Sequence, residues 1–560
     1  MSPWIILSIV IIALVVVLVA RTINFPIQTE EVEPIDLPKI DGESVAQRIG
    51  LAVQYRTIAN RDPNLVDPEP FEGFHQLLRT LYPQVHEQLT CEVINHHALL
   101  YTWQGTNPNL DAICFAAHQD VVPADESETS GWLHPPFAGE LADGYVWGRG
   151  TLDCKGTLIG IMEAVNNLLK SGYQPERTIY LAFGDDEEVS GLYGAKAIVE
   201  TLQARGAQLA FMLDEGGAVT RGTLYGIDRP VGQVGISEKG YLSLRLKAKV
   251  SGGHSATPPE RTAIGSLGLA IAALEANPFP QRLEVVQFMM GFVGEALPFF
   301  KRMRYANAWL FGGGLKRKLA AHPLTNALTR TTTAPTIIKG GSAENVLPAE
   351  AEALINFRML PGDTVVDVFQ SVSEMVGDEV IEVLPAHGET LQDEHAWDPT
   401  PVADVDSPEF ERLAELIRAT FPGALVAPYL MTGATDSRHY APICQNVFRF
   451  SPFFLTAEEA ALMHTANERL SFINAGRMVA FYQELIRLES SLAAESETKE
   501  ETELLKFEEE PKPRRVSQRK RLKQTELEEE ISAEEEIEIQ PLPEDDEPLE
   551  VKPLRRNKGE

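Results

Sequence analysis

Five polar clusters in this sequence hold residues that could bind a metal ion or move a proton: His118-Gln119-Asp120, Asp153, Asp185-Asp186-Glu187-Glu188, Asp214-Glu215 and His464. Singly, none decides. A loop histidine beside an acid is common, and Gly148-Arg149-Gly150, ahead of Asp153, lacks the G-x-G-x-x-G spacing of a dinucleotide site. Four adjacent acids repel one another unless cations offset them. Together, two histidines and three carboxylates are the donors zinc prefers. Charge balances as well: two Zn²⁺ would be offset by Asp153, Glu188, Asp214 and one hydroxide, with His118 and His464 as neutral ligands. Glu187 is then left over beside the metals. Two metals lower the pKa of water and polarise a carbonyl, while a spare glutamate accepts and relays the proton. That chemistry is hydrolysis.

The elements around these clusters suit the task. Apolar runs lead into three of them: Ala112–Ala117 into His118, Thr178–Phe183 into Gly184 and the four acids, and Leu209–Leu213 into Asp214. Between the first two, Gly156–Leu169 has helical periodicity and stops near Gly172. Strands with crossover helices make an α/β sheet, in which ligands collect beyond the carboxyl ends of the strands. His464 is expected to open a helix. From Gly240 the pattern changes: strand Tyr241–Val250, helix Ala263–Ala276, strands Ala334–Lys339 and Ala351–Met359, helix Thr364–Val376 and strand Val380–Leu384. Strand–helix–strand–strand–helix–strand is the ferredoxin-like order. An insert rich in Phe, Met and Leu, about 279–330, interrupts it; packing of extra helices is the plainer reading, a surface for lipid or an acyl chain the other.

The segments AHQDVVPAD, GRGTLDCKG, FGDDEEVSG, MLDEGG, SGGHSATP, ENVLPAEAEALINFR and HTANERL resemble the successive motifs of the co-catalytic zinc carboxypeptidase and aminoacylase family. GATDSRHY and FRFSPF are similar to its carboxypeptidase S branch, which includes the N-fatty-acyl-amino-acid hydrolases. The resemblance runs in order over about Val45–Glu489. It implies a zinc-exopeptidase-like α/β catalytic domain, a mixed sheet flanked by helices, with an inserted ferredoxin-like α+β lid domain. His118 and Asp214 would bind one zinc, Glu188 and His464 the other, and Asp153 would bridge them. Asp120 would orient His118, and Glu187 would be general base and then general acid. The Asp153–Cys154 peptide would be cis, with Cys154 standing where the family commonly has Met or Gly. From the lid, His254 would polarise the scissile carbonyl, and Asn345 and Arg358 would grip the substrate's carboxylate, with Gly433 lining the same pocket. In many members the clamp histidine comes from a second subunit, which implies a homodimer through the lid domain; the apolar insert could cover that face. The implied substrates are small peptides or N-acyl amino acids. An aminopeptidase would need a pocket for a free amine, and Arg358 speaks for a carboxylate. A silent scaffold would predict an eroded metal site, yet every ligand type is present.

The chain ends read differently. Pro3–Ala20 is almost continuously apolar, and eighteen residues approach the roughly 30 Å hydrocarbon core. Nothing basic precedes this run and Leu18–Ala20 makes a poor cleavage site, so a single-span anchor is expected rather than a signal peptide. The tail is about half charged with almost no aromatics, a composition that stays disordered. The chain thus divides into a transmembrane anchor (1–21), a linker (22–42), a catalytic domain in two parts (43–239 and 389–490), the lid domain with its insert (240–388) and a disordered charged tail (491–560). A net charge of −32 argues against nucleic acid. Four scattered cysteines form no framework. No Asn-x-Ser/Thr acceptor occurs, but the habits of relatives suggest an extracytoplasmic catalytic domain.

Overall fold

The apolar runs ahead of the polar clusters become neighbouring strands of one sheet. The computed structural model describes residues 2–25 and 35–491, except 128, 223, 389 and 392–394. The tail and the middle of the linker therefore lie outside the described residues. The large sheet has eight strands in the order Thr90–Ile94, Ala98–Trp103, Ile179–Gly184, Ala112–His118, Leu209–Arg221, Val447–Leu455, Pro230–Glu238 and Leu425–Met431. Its centre is parallel: Ala112–His118 lies between Ile179–Gly184 and Leu209–Arg221, and His118 pairs with Gly184, so two polar clusters emerge side by side.

Helices cover both faces. On one, Lys155–Lys170 and Phe472–Ser490 bury Leu158, Ile161, Met162, Met478, Tyr482 and Leu485 against the strands. On the other, Ala195–Ala204 packs Ile198, Val199 and Leu202 onto Cys114 and Ala116. Full burial of such side chains contributes about 1.5–3 kcal/mol each, which fixes the strand ends that carry the polar residues.

A second sheet, of four antiparallel strands, runs Thr332–Gly340, Glu350–Met359, Gly240–Lys249, Ile381–Pro385. Helices Ala263–Ala276 and Val365–Val376 close a separate core with Leu242, Leu244, Ile355 and Phe357. The second helix starts at a capping box, with Thr364 and Asp367 bonded reciprocally, and ends at Gly377, whose φ of 49° suits glycine. This order is the split β-α-β pattern expected from the sequence.

The insert does not belong to that core. It forms helices Glu284–Phe292, Phe299–Ala306 and Ala308–Ala320, and Val286, Met289, Met290, Val293 and Leu297 join the core of the large sheet. Continuity in sequence suggested one unit over 240–388, whereas the apolar face of Glu284–Phe292 packs beside strand Leu425–Met431. At the N-terminus, Pro3–Ile23 is one continuous helix whose hydropathy of 3.1 and length would suit a bilayer, and its apolar side chains are exposed.

Candidate metal centre

Asp153 sits at the middle of the site. One carboxylate oxygen is 2.8 Å from His118 Nε2, and the other is 2.9 Å from His464 Nε2. On the first side Glu215 approaches His118 Nε2 at 3.4 Å, and on the second Glu188 approaches His464 Nε2 at 3.2 Å. Two ligand groups thus share one carboxylate: His118, Asp153 and Glu215; and His464, Asp153 and Glu188. Each group offers its atoms within 4.8 Å of one another. Glu188 Oε1 is buried, with His464 Nε2 facing it. A shared carboxylate, two imidazoles and two outer carboxylates are a donor set that fits a pair of divalent zinc ions. Glu187 lies beside both groups, within reach of His118 and Glu188.

Asp214, expected as a ligand, lies elsewhere. Its oxygens accept from Glu215 N at 2.9 Å and Ser437 N at 2.8 Å. Beneath the site it joins a buried polar group in which Ser437 and Thr435 donate to Glu238, itself paired with the buried Arg449 at 2.7 Å. The physical reason is the length of the strand. The apolar run ends at Leu213, but the strand continues to Arg221, so residues 214 and 215 face opposite ways. The ladder also slips here: Asp214 pairs with Arg449 and Gly217 with Phe450, so Glu215-Gly216 bulges out. Gly216 takes a φ of 136°, open only to glycine, and the bulge turns Glu215 towards His118.

Buried backbone contacts hold the remaining ligands. His118 ends its strand, and its Nδ1 meets the Asp120 carbonyl at 3.0 Å, fixing the ring. The Asp120 side chain accepts from Glu187 N and Glu188 N, and so fixes the turn Glu187–Val189. The four-acid run separates by role. Asp185 accepts from His97 N, and Asp186 accepts from Tyr193 N and Gly194 N; only the next two acids reach the site. The Asp153–Cys154 bond is cis, and the buried Cys154 Sγ accepts from His118 N at 3.0 Å. His464 lies in a loop with φ 61°, not at a helix start; the following helix begins at Phe472. Sequence reasoning passed over Glu468. It is fully buried, bridges to Arg149 at 2.5 Å, and accepts from Gly150 N and Leu152 N, anchoring the loop that carries Asp153.

Electrostatics record the crowding. Burial pushes the Glu187 carboxyl well above its usual range, and burial followed by the Asp153 charge pushes Glu215 up to about 8. Hydrogen bonds that its ring donates to Asp153 and Glu188 raise His464 to about 10. Burial opposes ionisation of Asp153, yet bonds from His118 and His464 hold it below the usual carboxylate range.

The ligands open into a cleft of about 350 Å³ that Arg358, Gly433, Tyr241, Trp397 and Arg438 also line. Arg358 lies over the Tyr241 ring at 4.7 Å, Tyr241 stacks on Trp397 at 4.9 Å, and Arg438 lies over Trp397 at 4.1 Å. This alternating stack fixes the Arg358 guanidinium. Arg358 and Gly433 are the residues expected here; Arg438 lies in the GATDSRHY segment but carries no expected role, and Tyr241 and Trp397 belong to no motif. His254 and Asn345 do not line the cleft. They sit together on an exposed two-stranded arm, where His254 pairs with Val346 and Ser255 N donates to the Asn345 carbonyl at 3.1 Å.

The pattern of peptidase family M20/M25/M40 matches residues 114–488. The chain belongs to that family. It is a hydrolase of the metallopeptidase class, as its sequence motifs implied. Probable carboxypeptidase S-like 2 of Dictyostelium discoideum is 36% identical over 487 residues, covering 85% of this chain and 92% of that protein. The N-fatty-acyl-amino acid synthase/hydrolase PM20D1 of Xenopus tropicalis is 40% identical over 419 residues, covering 74% of this chain and 80% of its own length. Among solved structures, the M20 family metallo-carboxypeptidase Sso-CP2 from Sulfolobus solfataricus aligns with a TM-score of 0.58 at 16% identity, over 80% of this chain and 99% of that one. That likeness establishes the shared fold.

Proposed function

We propose that the chain is a membrane-anchored dinuclear zinc hydrolase that cleaves the amide bond next to a free C-terminal carboxylate, in small peptides or N-acyl amino acids. The observation that carries this reading is the sharing of one cleft by the two ligand groups and Arg358. His118, Asp153 and Glu215 would hold one zinc, and His464, Glu188 and the same Asp153 the other. When bound, such ions lower the pKa of water and polarise the substrate carbonyl. Glu187 takes the proton from the attacking water and passes it to the departing amine nitrogen, a transfer that its raised carboxyl pKa favours. Arg358 offers the planar fork for the substrate carboxylate, so the scissile amide is placed at a fixed distance from the anchor.

His254 and Asn345 complete the site only if the small-sheet domain acts as a lid, closing over the cleft or delivering them from a second copy of the chain. The relatives' names favour N-acyl amino acids as substrates, and the exposed apolar N-terminal helix supports a single-pass anchor; placing the catalytic domain outside the cytoplasm rests on the family resemblance alone. The test is hydrolysis of a long-chain N-acyl amino acid, the same compound with its carboxylate amidated, and a dipeptide, before and after chelation and zinc repletion. The account expects zinc-dependent cleavage of the free-carboxylate substrates and little of the amide. Equal cleavage of the amidated compound would remove the role of Arg358.

A further inference from the structure

The insert has two faces. One packs on the large sheet, as described. The other exposes Phe299, Phe300, Trp309 and Leu310, with Phe300 71% and Trp309 59% accessible. Six basic residues lie in Phe299–Ala320 (Lys301, Arg302, Arg304, Lys316, Arg317 and Lys318) and no acidic one, in a chain of net charge −32. Lys301 is committed to the carbonyls of Tyr225 and Gly226, but Arg304, Lys316, Arg317 and Lys318 are exposed.

The N-terminal helix meets this segment. Asn307 Nδ2 donates to the Leu18 carbonyl at 3.2 Å and to Thr22 Oγ1 at 3.3 Å, and Arg21 Nε donates to the Ala306 carbonyl at 3.3 Å. Thr22 is wholly buried there, whereas Trp4–Val17 project without cover. At 1.5 Å per residue the 21-residue helix is about 31 Å long, close to the roughly 30 Å hydrocarbon core. The contact with the insert falls in its last turns. If the helix spans a bilayer, Ala306–Leu310 must then lie within about a turn of the hydrocarbon boundary. That layer favours tryptophan, phenylalanine and leucine beside lysine and arginine, the residues the exposed face presents.

We infer that Phe299–Ala320 is an interfacial membrane-binding surface: its aromatic side chains enter the headgroup–acyl boundary and its basic residues face anionic lipid headgroups. The inference rests on the anchor reading and goes beyond it. A bare tether would leave the catalytic domain free to swing, whereas a second contact beside the anchor would hold it at a set height and orientation on the bilayer.

Full-length protein, in a Cys91→Ser background, is reconstituted into phosphatidylcholine vesicles with and without phosphatidylserine. Single nitroxide labels are placed by Val10→Cys, Phe300→Cys, Trp309→Cys and, as an aqueous control, Leu133→Cys, and their depths are read by EPR from oxygen and nickel-chelate accessibility. The expected result is a deep label at 10, labels at 300 and 309 about 5–10 Å into the interface, a water-exposed label at 133, and deeper seating of 300 and 309 when phosphatidylserine is present. Deep 10 with 300 and 309 both in water overturns the interfacial surface and leaves the anchor standing. Water-exposed 10 overturns the anchor reading, and this inference falls with it. Equal depth in both vesicle types overturns the anionic-lipid part. The two insert labels act independently, so misfolding of one variant leaves the other to decide.

Discussion

His118 and His254 stand at opposite extremes of one site. The first is 1% exposed, ends a central parallel strand, and has partners for both ring nitrogens. The second is exposed on a short arm of two-residue strands, and the only hydrogen bond to its ring among the described residues is from Ala256 N, two residues away. The same contrast runs through their neighbours: Asp120, Asp153 and Glu468 interlock in the core, while Asn345 shares the exposed arm. On the proposed reading, the hydrolytic half is built before substrate arrives, and the clamp half would have to be brought to it. Water activation and substrate selection would then be separate structural problems in this molecule, joined by Arg358 and Tyr241, which sit in the small sheet yet already line the cleft.

The sharpest way to break this contrast lies within the built half. Glu215→Ala should lose zinc, and kcat/KM by at least about 10³-fold, the scale of removing a principal catalytic group. Asp214→Ala should keep its zinc and lose stability instead, about 1–3 kcal/mol for the Ser437 amide left unpaired. Metal analysis beside denaturant melts separates the two, and the opposite pattern would restore Asp214 as the ligand. In the proposed lid, His254→Ala should keep full zinc and lower kcat by about 10²–10³-fold, the cost of one oxyanion donor. Mixing that variant with a Glu187→Gln variant would regain activity only if the histidine is delivered by a second copy. At the joint, Arg358→Lys should raise KM by about 10–100-fold with a smaller change in kcat, since an ammonium lacks the two-point fork; an amidated substrate should not notice the change.

The smallest effect concerns the metal-free protein. His464 is raised to about 10 from an ordinary 6.5, and Glu215 to about 8 from 4.5. A group raised in the folded state gives stability that is present below its ordinary value and lost as pH climbs through the folded one. The chelated protein should therefore lose Tm between about pH 4.5 and 10, with Glu215 acting over the lower part of that range and His464 over the upper, and zinc should remove most of that slope. A Tm independent of pH in the chelated protein would mean that the imidazoles do not hold the acids together.

The parts of this arrangement legible in the sequence are those where local signals agree with the fold. AICFAA before His118 and TIYLAF before the acidic run read as strands because each is short, apolar and ends in a polar cluster, and both strands appear within one or two residues of those bounds. Helix Ala263–Ala276 appears at its expected bounds. What stayed hidden depends on tertiary context. The choice between Asp214 and Glu215 turns on a bulge set by the register against Val447–Leu455, which no local pattern reveals. Glu468 reads as one more acid in HTANERL, and only its burial against Gly150 and Leu152 gives it a task. The insert's Phe and Met content could not say which core it would join. The Arg358–Tyr241–Trp397–Arg438 stack joins residues nearly 200 positions apart, beyond any motif.

Glu187 tests the central claim most directly, because it lies beside both ligand groups while the metal-holding role falls to its neighbours. Glu187→Gln should retain two zinc ions per chain and bind substrate with nearly unchanged affinity. It should lose about 10²–10⁴-fold in kcat on an N-acyl amino acid, the range for a positioned proton-transfer group. Unchanged turnover with both zinc ions bound would contradict the account.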